Sequence, residues 1–421
     1  IYRGGKNPQL RHRQIGRTPS AMKILMLTPY LPYPLLSGGQ IRTYNLLKNL
    51  SIKHDITLFS LIKDEKEKQY LKELEKFCSK IKVFKRTFSP WDPRNILRAG
   101  FTLYPFLVTR NLVDHTKIAV EEEIASQKYD LIHAETFYMM PNIPKTDIPV
   151  ILVEQTIEYL GYQSYASKSK LWLLKPLLYI DILKIKFWEK YYWQSCSHLI
   201  TMSEDDKQFI KSEVPSVKNI DVVANGVDTQ WFDQVKKQLP KDLTVLFVGT
   251  FKWLPNSEAV EFLAERIWPL IKKKIKNAKL WIVGNAPTSK VYSYEKRDST
   301  IKVTGGIPDI RKAYAKAHIL LAPVFSGKGT RYKILEAMAT GTPAVATNIA
   351  LEGLGITPGK QAIVANSAED MAAAVVKVLS DKKLQKQLAV NGKEFVSKNY
   401  DWKMISEKLD QIYQQVGKRS S

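Results

Sequence analysis

One unit recurs along this chain: a short apolar run, a turn marked by proline or glycine, and a stretch with apolar residues at helical spacing. Its first instance is Lys23-Ile-Leu-Met-Leu-Thr28, which Pro29, Pro32 and Pro34 prevent from continuing as a strand. Ser37-Gly38-Gly39-Gln40 follows, and then Ile41, Tyr44, Leu47 and Leu50 along one helical face. Similar apolar runs lie at 56–61, 81–84, 131–133, 150–153 and 198–202, with a helix expected over 65–78. Strands apolar on both faces must be covered on both, and strands alternating with helices pair in parallel. The pattern therefore predicts a doubly wound α/β domain.

The pattern lapses at Asn225-Gly226-Val227-Asp228 and over the polar connector 235–241, then restarts at Leu243–Val248 and ends in Gly249-Thr250. It repeats at 280–283, 301–304, 319–322, 344–347 and 361–364, with helices expected over 257–273, 310–316, 332–339 and 368–379. A length of 421 residues also exceeds what one hydrophobic core sustains. The expected organisation is an N-terminal Rossmann-like domain over 22–237, a second over 238–398, and a C-terminal helix within 399–421. Ile405, Leu409, Ile412 and Val416 on that helix suit packing back onto the first domain. Residues 1–21 are basic, polar and aperiodic; they read as a non-native or disordered extension and are set aside.

The composition is that of a globular protein, 44% hydrophobic and 25% charged. Two cysteines, Cys78 and Cys196, point to a reducing compartment. No apolar run is long enough to span a bilayer, so a cytoplasmic location is expected. The net charge of +23 calls for an anionic partner: nucleic acid, anionic lipid or a phosphorylated small molecule.

Ligands of doubly wound sheets sit at the carboxyl ends of the strands. There the most informative string is Ser326-Gly327-Lys328-Gly329-Thr330-Arg331-Tyr332-Lys333-Ile334-Leu335-Glu336. Gly327 and Gly329 allow close approach of the backbone, and a helix starting near Thr330 aims free amides and its positive end at an anion. Arg331 and Lys333 add positive charge, and Glu336, about a turn further, is placed to accept from ribose hydroxyls. The spacing excludes a Walker phosphate loop.

This string resembles the donor-site signature of the retaining GT-B glycosyltransferases of family four. Val248-Gly249-Thr250 with Trp253-Leu254-Pro255-Asn256, Ile282-Val283-Gly284, Val303-Thr304-Gly305 and Ser203-Glu204-Asp205-Asp206 agree with that family, in its order. The resemblance spans about 22–402. It implies two Rossmann-like doubly wound parallel-sheet domains facing a central cleft, and a sugar moved from a nucleotide-diphosphate donor to a glycan or lipid-linked acceptor. It implies that Glu336 binds the donor ribose, with Gly249, Asn256, Gly284, Gly305 and Leu335 around the donor and Lys252 near the family's basic pair. The signature's first glutamate is replaced by Lys328, as in a subgroup carrying Gly-x-Gly-x-Arg-x-Lys, where Arg331 and Lys333 serve the phosphates.

In the N-terminal half the resemblance places Gly38, Gly39 and Arg42 in a glycine loop facing the cleft. Taken alone, the residues favour a plain strand-to-helix turn. His133 and Glu135, at a strand end, are candidates for contact with the sugar or acceptor, against the alternative of a structural hydrogen bond. Glu154 and Glu158 are candidates for the acceptor side, in a phrase where Gln155 replaces the family's histidine. The six histidines are scattered and no metal-ligand spacing occurs, so no metal or cofactor is expected. Charge on the leaving diphosphate is then met by Arg, Lys and a helix dipole.

Residues 168–193 mix aromatic and aliphatic residues with Lys168, Lys170, Lys175, Lys184, Lys186 and Lys190. That is the composition of an interfacial helix on an anionic membrane, or of a helix packed on the sheet and broken at Pro176. The expected function is glycosyl transfer in cell-surface polysaccharide or glycolipid synthesis. A nucleotide-sugar epimerase on the same fold is the alternative enzyme. A nucleic-acid-binding protein is suggested by charge alone, and no such motif is present.

Overall fold

The computed structural model describes residues 21–86, 92–168, 175–326 and 332–418. They form two compact units, one of residues 21–224 with 406–418, the other of residues 225–405.

The first unit is built on a parallel sheet of seven strands: β1 (Lys23–Thr28), β2 (Asp55–Ile62), β3 (Lys80–Lys85), β4 (Leu131–Glu135), β5 (Val150–Glu154), β6 (His198–Thr201) and β7 (Ile220–Val222). Their order is β3-β2-β1-β4-β5-β6-β7. The chain winds outward to β3 and returns to add β4 on the other side of β1, so the direction of winding reverses between β1 and β4. Ile24, Leu25, Met26 and Leu27 of β1 are all buried, as an apolar run covered on both faces must be. The Ser37 side chain caps the helix Gly38–Leu50 by accepting from the Gln40 amide.

The second unit repeats the plan with β8 (Leu243–Val248), β9 (Ala278–Val283), β10 (Ile301–Thr304), β11 (Ile319–Ala322), β12 (Ala344–Ala346) and β13 (Ile363–Val364). The order is β10-β9-β8-β11-β12-β13, all parallel, and the reversal falls between β8 and β11. One core of Phe247, Leu263, Trp268, Leu280, Val375 and Leu388, among others, lies against this sheet.

The sequence pattern and the structure differ in places with evident causes. β7 is a three-residue edge strand, too short to show a period. Residues 65–70 wind as a 3-10 turn held by an Asp64–Glu67 capping box, leaving a helix only over Leu71–Leu74. The helix expected over 257–273 is interrupted by a π-helical turn, Leu263–Ile267. The division into units falls at 224/225, because residues 226–229 are tied to residues 400–402: Val227 forms a parallel bridge to Asp401, and the Thr229 amide donates to Asp401 Oδ2 at 3.2 Å. Any Cβ at Gly226 would lie 2.8 Å from the Tyr400 carbonyl. The helix Trp402–Lys418 buries Ile405, Leu409, Ile412 and Val416, and from residue 406 it packs with the first unit. There Asp410 accepts from Lys53 Nζ at 2.6 Å and contacts His54 Nε2 at 3.0 Å.

Candidate functional site

In the second unit the helix Tyr332–Ala339 runs from the carboxyl ends of β8 and β11, where the winding reverses. Leu335 faces the core. Glu336 is 6% exposed, and its Oε2 accepts from the Tyr314 hydroxyl at 2.8 Å. Lys333 reaches the start of the helix Leu254–Phe262 that follows β8, where its Nζ donates to Asn256 Oδ1 at 2.7 Å; the same Nζ lies 4.6 Å from the centre of the Phe247 ring. Asn256 is held in turn by donating Nδ2 to the Thr250 carbonyl at 2.8 Å. The structure thus brings Lys333, Asn256 and Glu336 to one end of one sheet. Lys252 is exposed on the neighbouring loop. Gly327, Gly329, Thr330 and Arg331, with Lys328, lie outside the described residues.

The glycines expected around the donor serve different purposes. A Cβ at Gly284 would stand 1.5 Å from the Gly249 carbonyl oxygen, and one at Gly249 would stand 2.7 Å from Asn256 Cγ. Gly284 is small because the ends of adjacent strands converge there, and Gly249 because the Asn256 side chain packs over it. At Gly305 the nearest atom is the Tyr292 hydroxyl at 3.8 Å, so only there does glycine leave open space.

In the first unit, His133 and Glu135 at the end of β4 are fully buried. His133 Nε2 lies 3.1 Å from Glu135 Oε1, and its Nδ1 lies 2.6 Å from the Tyr413 hydroxyl. A proton on Nε2 satisfies both contacts, with Tyr413 donating to Nδ1. Gln155 Nε2 donates to Glu135 Oε2 at 2.6 Å and to the Tyr30 hydroxyl at 2.7 Å, completing a chain from Tyr30 to Tyr413 that is buried at His133, Glu135 and Tyr413 and half-buried at Gln155 and Tyr30. Burial works to raise the Glu135 pKa, but contact with His133, the Arg42 charge and the Gln155 hydrogen bond bring it below the usual carboxylate value. In this structure the polar atoms of His133 and Glu135 are engaged with each other and with Tyr413 and Gln155.

Arg42 is also fully buried, with Nη1 donating to the Ala224 carbonyl at 2.8 Å. Gly38 opens the helix after the Ser37 cap. Gly39 has no room for a side chain, since a Cβ would lie 2.1 Å from the Tyr30 hydroxyl and 2.7 Å from Gln155 Oε1.

Glu154, at the end of β5, turns inward and is 2% exposed, accepting from Trp193 Nε1 at 3.1 Å. It does not stand on an open acceptor face. Glu158 is half-buried, and its amide donates to Glu189 Oε1 at 2.7 Å. Burial, then the charge of Glu189, pushes the Glu154 carboxyl well above the usual range; burial also raises Glu158, opposed by Thr156 and Arg110.

Sequence reasoning missed the helix Pro93–Phe101, whose apolar side chains are few and point outward. Phe101 and the following Leu103 are 88% and 82% exposed. This helix is stitched to the helix Lys175–Ser195: Lys184 Nζ donates to the Ala99 and Thr102 carbonyls, each at 2.7 Å, and Trp188 Nε1 donates to the Leu103 carbonyl at 2.9 Å. Leu177, Ile180, Leu183 and Phe187 are exposed on the longer helix. Lys186 and Lys190 pair with Glu213, so the lysines do not form the open basic face that composition suggested. Pro176 sits in the first turn, where it starts the helix. Lys170 and the Lys168 side chain lie outside the described residues.

Residues 36–231 match Glycosyltransferase Family 4, and residues 242–381 match Glycosyl transferases group 1. The chain is 23% identical over 401 residues to a Klebsiella pneumoniae protein described as an uncharacterized 44.6 kDa protein in the cps region, covering 91% of this chain and 97% of that one. It is 26% identical over 202 residues to the phosphatidyl-myo-inositol mannosyltransferase of Mycolicibacterium smegmatis, covering 46% of this chain and 51% of that one. Among solved structures, sucrose-phosphate synthase from Thermosynechococcus elongatus superposes with a TM-score of 0.68 at 17% identity, over 94% of this chain and 100% of that one. Anabaena Alr3699/HepE in complex with UDP-glucose gives 0.61 at 17% identity, also over 94% and 100%. At such identities the likeness is one of fold, GT-B, with its two doubly wound parallel-sheet domains.

Two outcomes follow from this packing. Gly284→Ala should cost about 2 kcal/mol because a backbone oxygen must move, while Gly305→Ala stays within about 0.5 kcal/mol; urea denaturation compares them, and equal costs would contradict the assignment. A carboxyl raised in the folded state gives stability below its ordinary pKa that is lost as pH rises through the folded value. Glu154→Gln should therefore leave the melting temperature unchanged near pH 4 and raise it by about 2–4 °C or more near pH 8; parity at both values would refute it.

Proposed function

Because the chain belongs to the glycosyltransferases of group 1 and family four, we propose that its reaction moves a hexosyl or related sugar from a nucleotide-diphosphate donor to a glycan or lipid-linked acceptor, with retention and without a metal. The observation that carries this reading is the pairing of Lys333 and Glu336 on one helix at the reversal point of the second sheet. An ammonium and a carboxylate about a turn apart suit a diphosphate and its pentose. Support comes from the relatives: the Anabaena neighbour holds UDP-glucose, one sequence relative is a phosphatidyl-myo-inositol mannosyltransferase, and another is a protein of a cps region.

In this reading Glu336 accepts from the pentose hydroxyls, and Arg331 and Lys333 neutralise the diphosphate. The bond from the sugar's anomeric carbon to the diphosphate breaks on the face where the acceptor hydroxyl adds, and that hydroxyl's proton passes to the departing phosphate. Cations at the phosphate stabilise the charge that grows as the bond opens. His133 and Glu135 act by holding β4 and the loop after β1 in place through Gln155 and Tyr30.

The acceptor is met at an anionic membrane surface on the cytoplasmic side. No helix among the described residues is long and apolar enough to cross a membrane. The face shared by residues 93–103 and 175–191 instead exposes large apolar side chains with Arg98 beside them; Arg94 is paired with Asp92, and the carboxylates of the longer helix turn inward, Asp181 accepting from the Phe106 amide and Glu189 being buried. An apolar patch of this kind with an exposed cation at its border suits an anionic bilayer.

Two experiments test the reading. By calorimetry, Glu336→Ala should weaken nucleoside-diphosphate binding about tenfold, and Arg331→Ala with Lys333→Ala should abolish it; undiminished binding in either would move the site elsewhere. Vesicles containing phosphatidylglycerol should sediment the protein at low salt, and Phe101→Asp with Leu183→Asp should release it; equal recovery with and without vesicles would remove the membrane from the account.

A further inference from the structure

A carboxylate recognises a pentose only if it is held in one orientation, and Glu336 is held by a residue that no motif marks. Tyr314 lies on the helix Arg311–Lys316 and is fully buried. Its hydroxyl is 2.8 Å from Glu336 Oε2 and 3.3 Å from the Lys333 carbonyl; with one proton to give, the nearer and charged acceptor takes it. The rest of the tyrosine is fixed as well. Its ring packs edge-on against Phe232 at 6.2 Å, and its carbonyl accepts from Lys237 Nζ at 2.8 Å and from Thr342 Oγ1 at 3.2 Å. Lys237 Nζ also donates to Thr342 Oγ1 at 2.5 Å, so the anchor is itself a closed set of hydrogen bonds. Burial and the Glu336 charge keep the phenol protonated far above neutral pH, so it remains a donor.

We propose that Tyr314 is a positioning residue for the donor: by donating to Oε2 it sets the Glu336 carboxylate against the pentose hydroxyls, and discrimination between ribose and deoxyribose nucleotides passes through it. This rests on the reading of Glu336 given above. A tyrosine that only satisfied a buried carboxylate would, on removal of its hydroxyl, lower stability and weaken all nucleotides alike. A positioning tyrosine changes the ratio between sugars.

The test measures, by calorimetry on the full chain, binding of UDP and 2′,3′-dideoxy-UDP, with GDP and its dideoxy counterpart as a second pair. The wild-type protein should prefer the ribonucleotide of at least one pair by about tenfold, and Tyr314→Phe should bring that ratio close to one while dideoxy binding stays at its wild-type level. A ratio unchanged in Tyr314→Phe overturns the role of Tyr314 and leaves that of Glu336 standing. No preference in the wild-type protein overturns the reading of Glu336 itself. Where Tyr314→Phe strands the buried carboxylate and fails to fold, the same substitution in the Glu336→Gln background is compared with Glu336→Gln alone. Equal ratios are expected, and a further fall in the ratio shows that Tyr314 acts by another route.

Discussion

The structure depends on one constraint: each sheet is parallel and buried on both faces, so its polar business is confined to the strand ends. Both sheets reverse their winding beside their first strand, between β1 and β4 and between β8 and β11. At a reversal the connections before and after it leave in opposite directions, which opens a crevice at the carboxyl ends. Polar groups of the two candidate sets arrive there for that reason. Glu135 and Glu154 end β4 and β5, Asn256 follows β8, and Lys333 and Glu336 follow β11.

What differs between these groups is how their charge is met. Glu135 is fully buried, yet it stays a carboxylate because His133, Arg42 and Gln155 surround it. Glu154 is buried with an indole N–H and other carboxylates for company, and burial with their charge favours its neutral form. Burying an ionised carboxylate is tolerable only when donors and opposite charge replace the water it loses. The first set is therefore a rigid brace and the second a neutral packing element, although both are glutamates at the ends of adjacent strands.

This contrast also marks how far the sequence could be read. The strand runs, their parallel pairing, the two-part organisation and the placement of Glu336 and Lys333 were legible, because apolar runs and glycine turns are local signals. The partners of His133 and Glu135 were not: Tyr413 is 280 residues away on the returning helix, and no local pattern announces a contact that only the fold creates. Tyr314 escaped for the same reason, being 22 residues before Glu336 on a separate helix. The glycines misled in a different way. Gly39, Gly284 and Gly305 look alike in sequence, yet the first two yield to a neighbouring side chain or backbone oxygen and only the third borders open space.

Charge was the other feature that sequence could count but not place. A net charge of +23 drew attention to the lysines of 168–190, yet Lys184 is turned onto helix-end carbonyls and Lys186 and Lys190 onto Glu213. Once these lysines serve as internal ties, the feature left facing solvent is apolar: Phe101 and Leu103 from one helix and its exit, Leu183 and Phe187 from another. Lys184 is itself what joins them, since its stem runs between the two helices and its ammonium closes the end of the shorter one. The cation thus joins the two helices that carry the apolar face and is not itself the exposed feature, which the composition of residues 168–193 does not disclose.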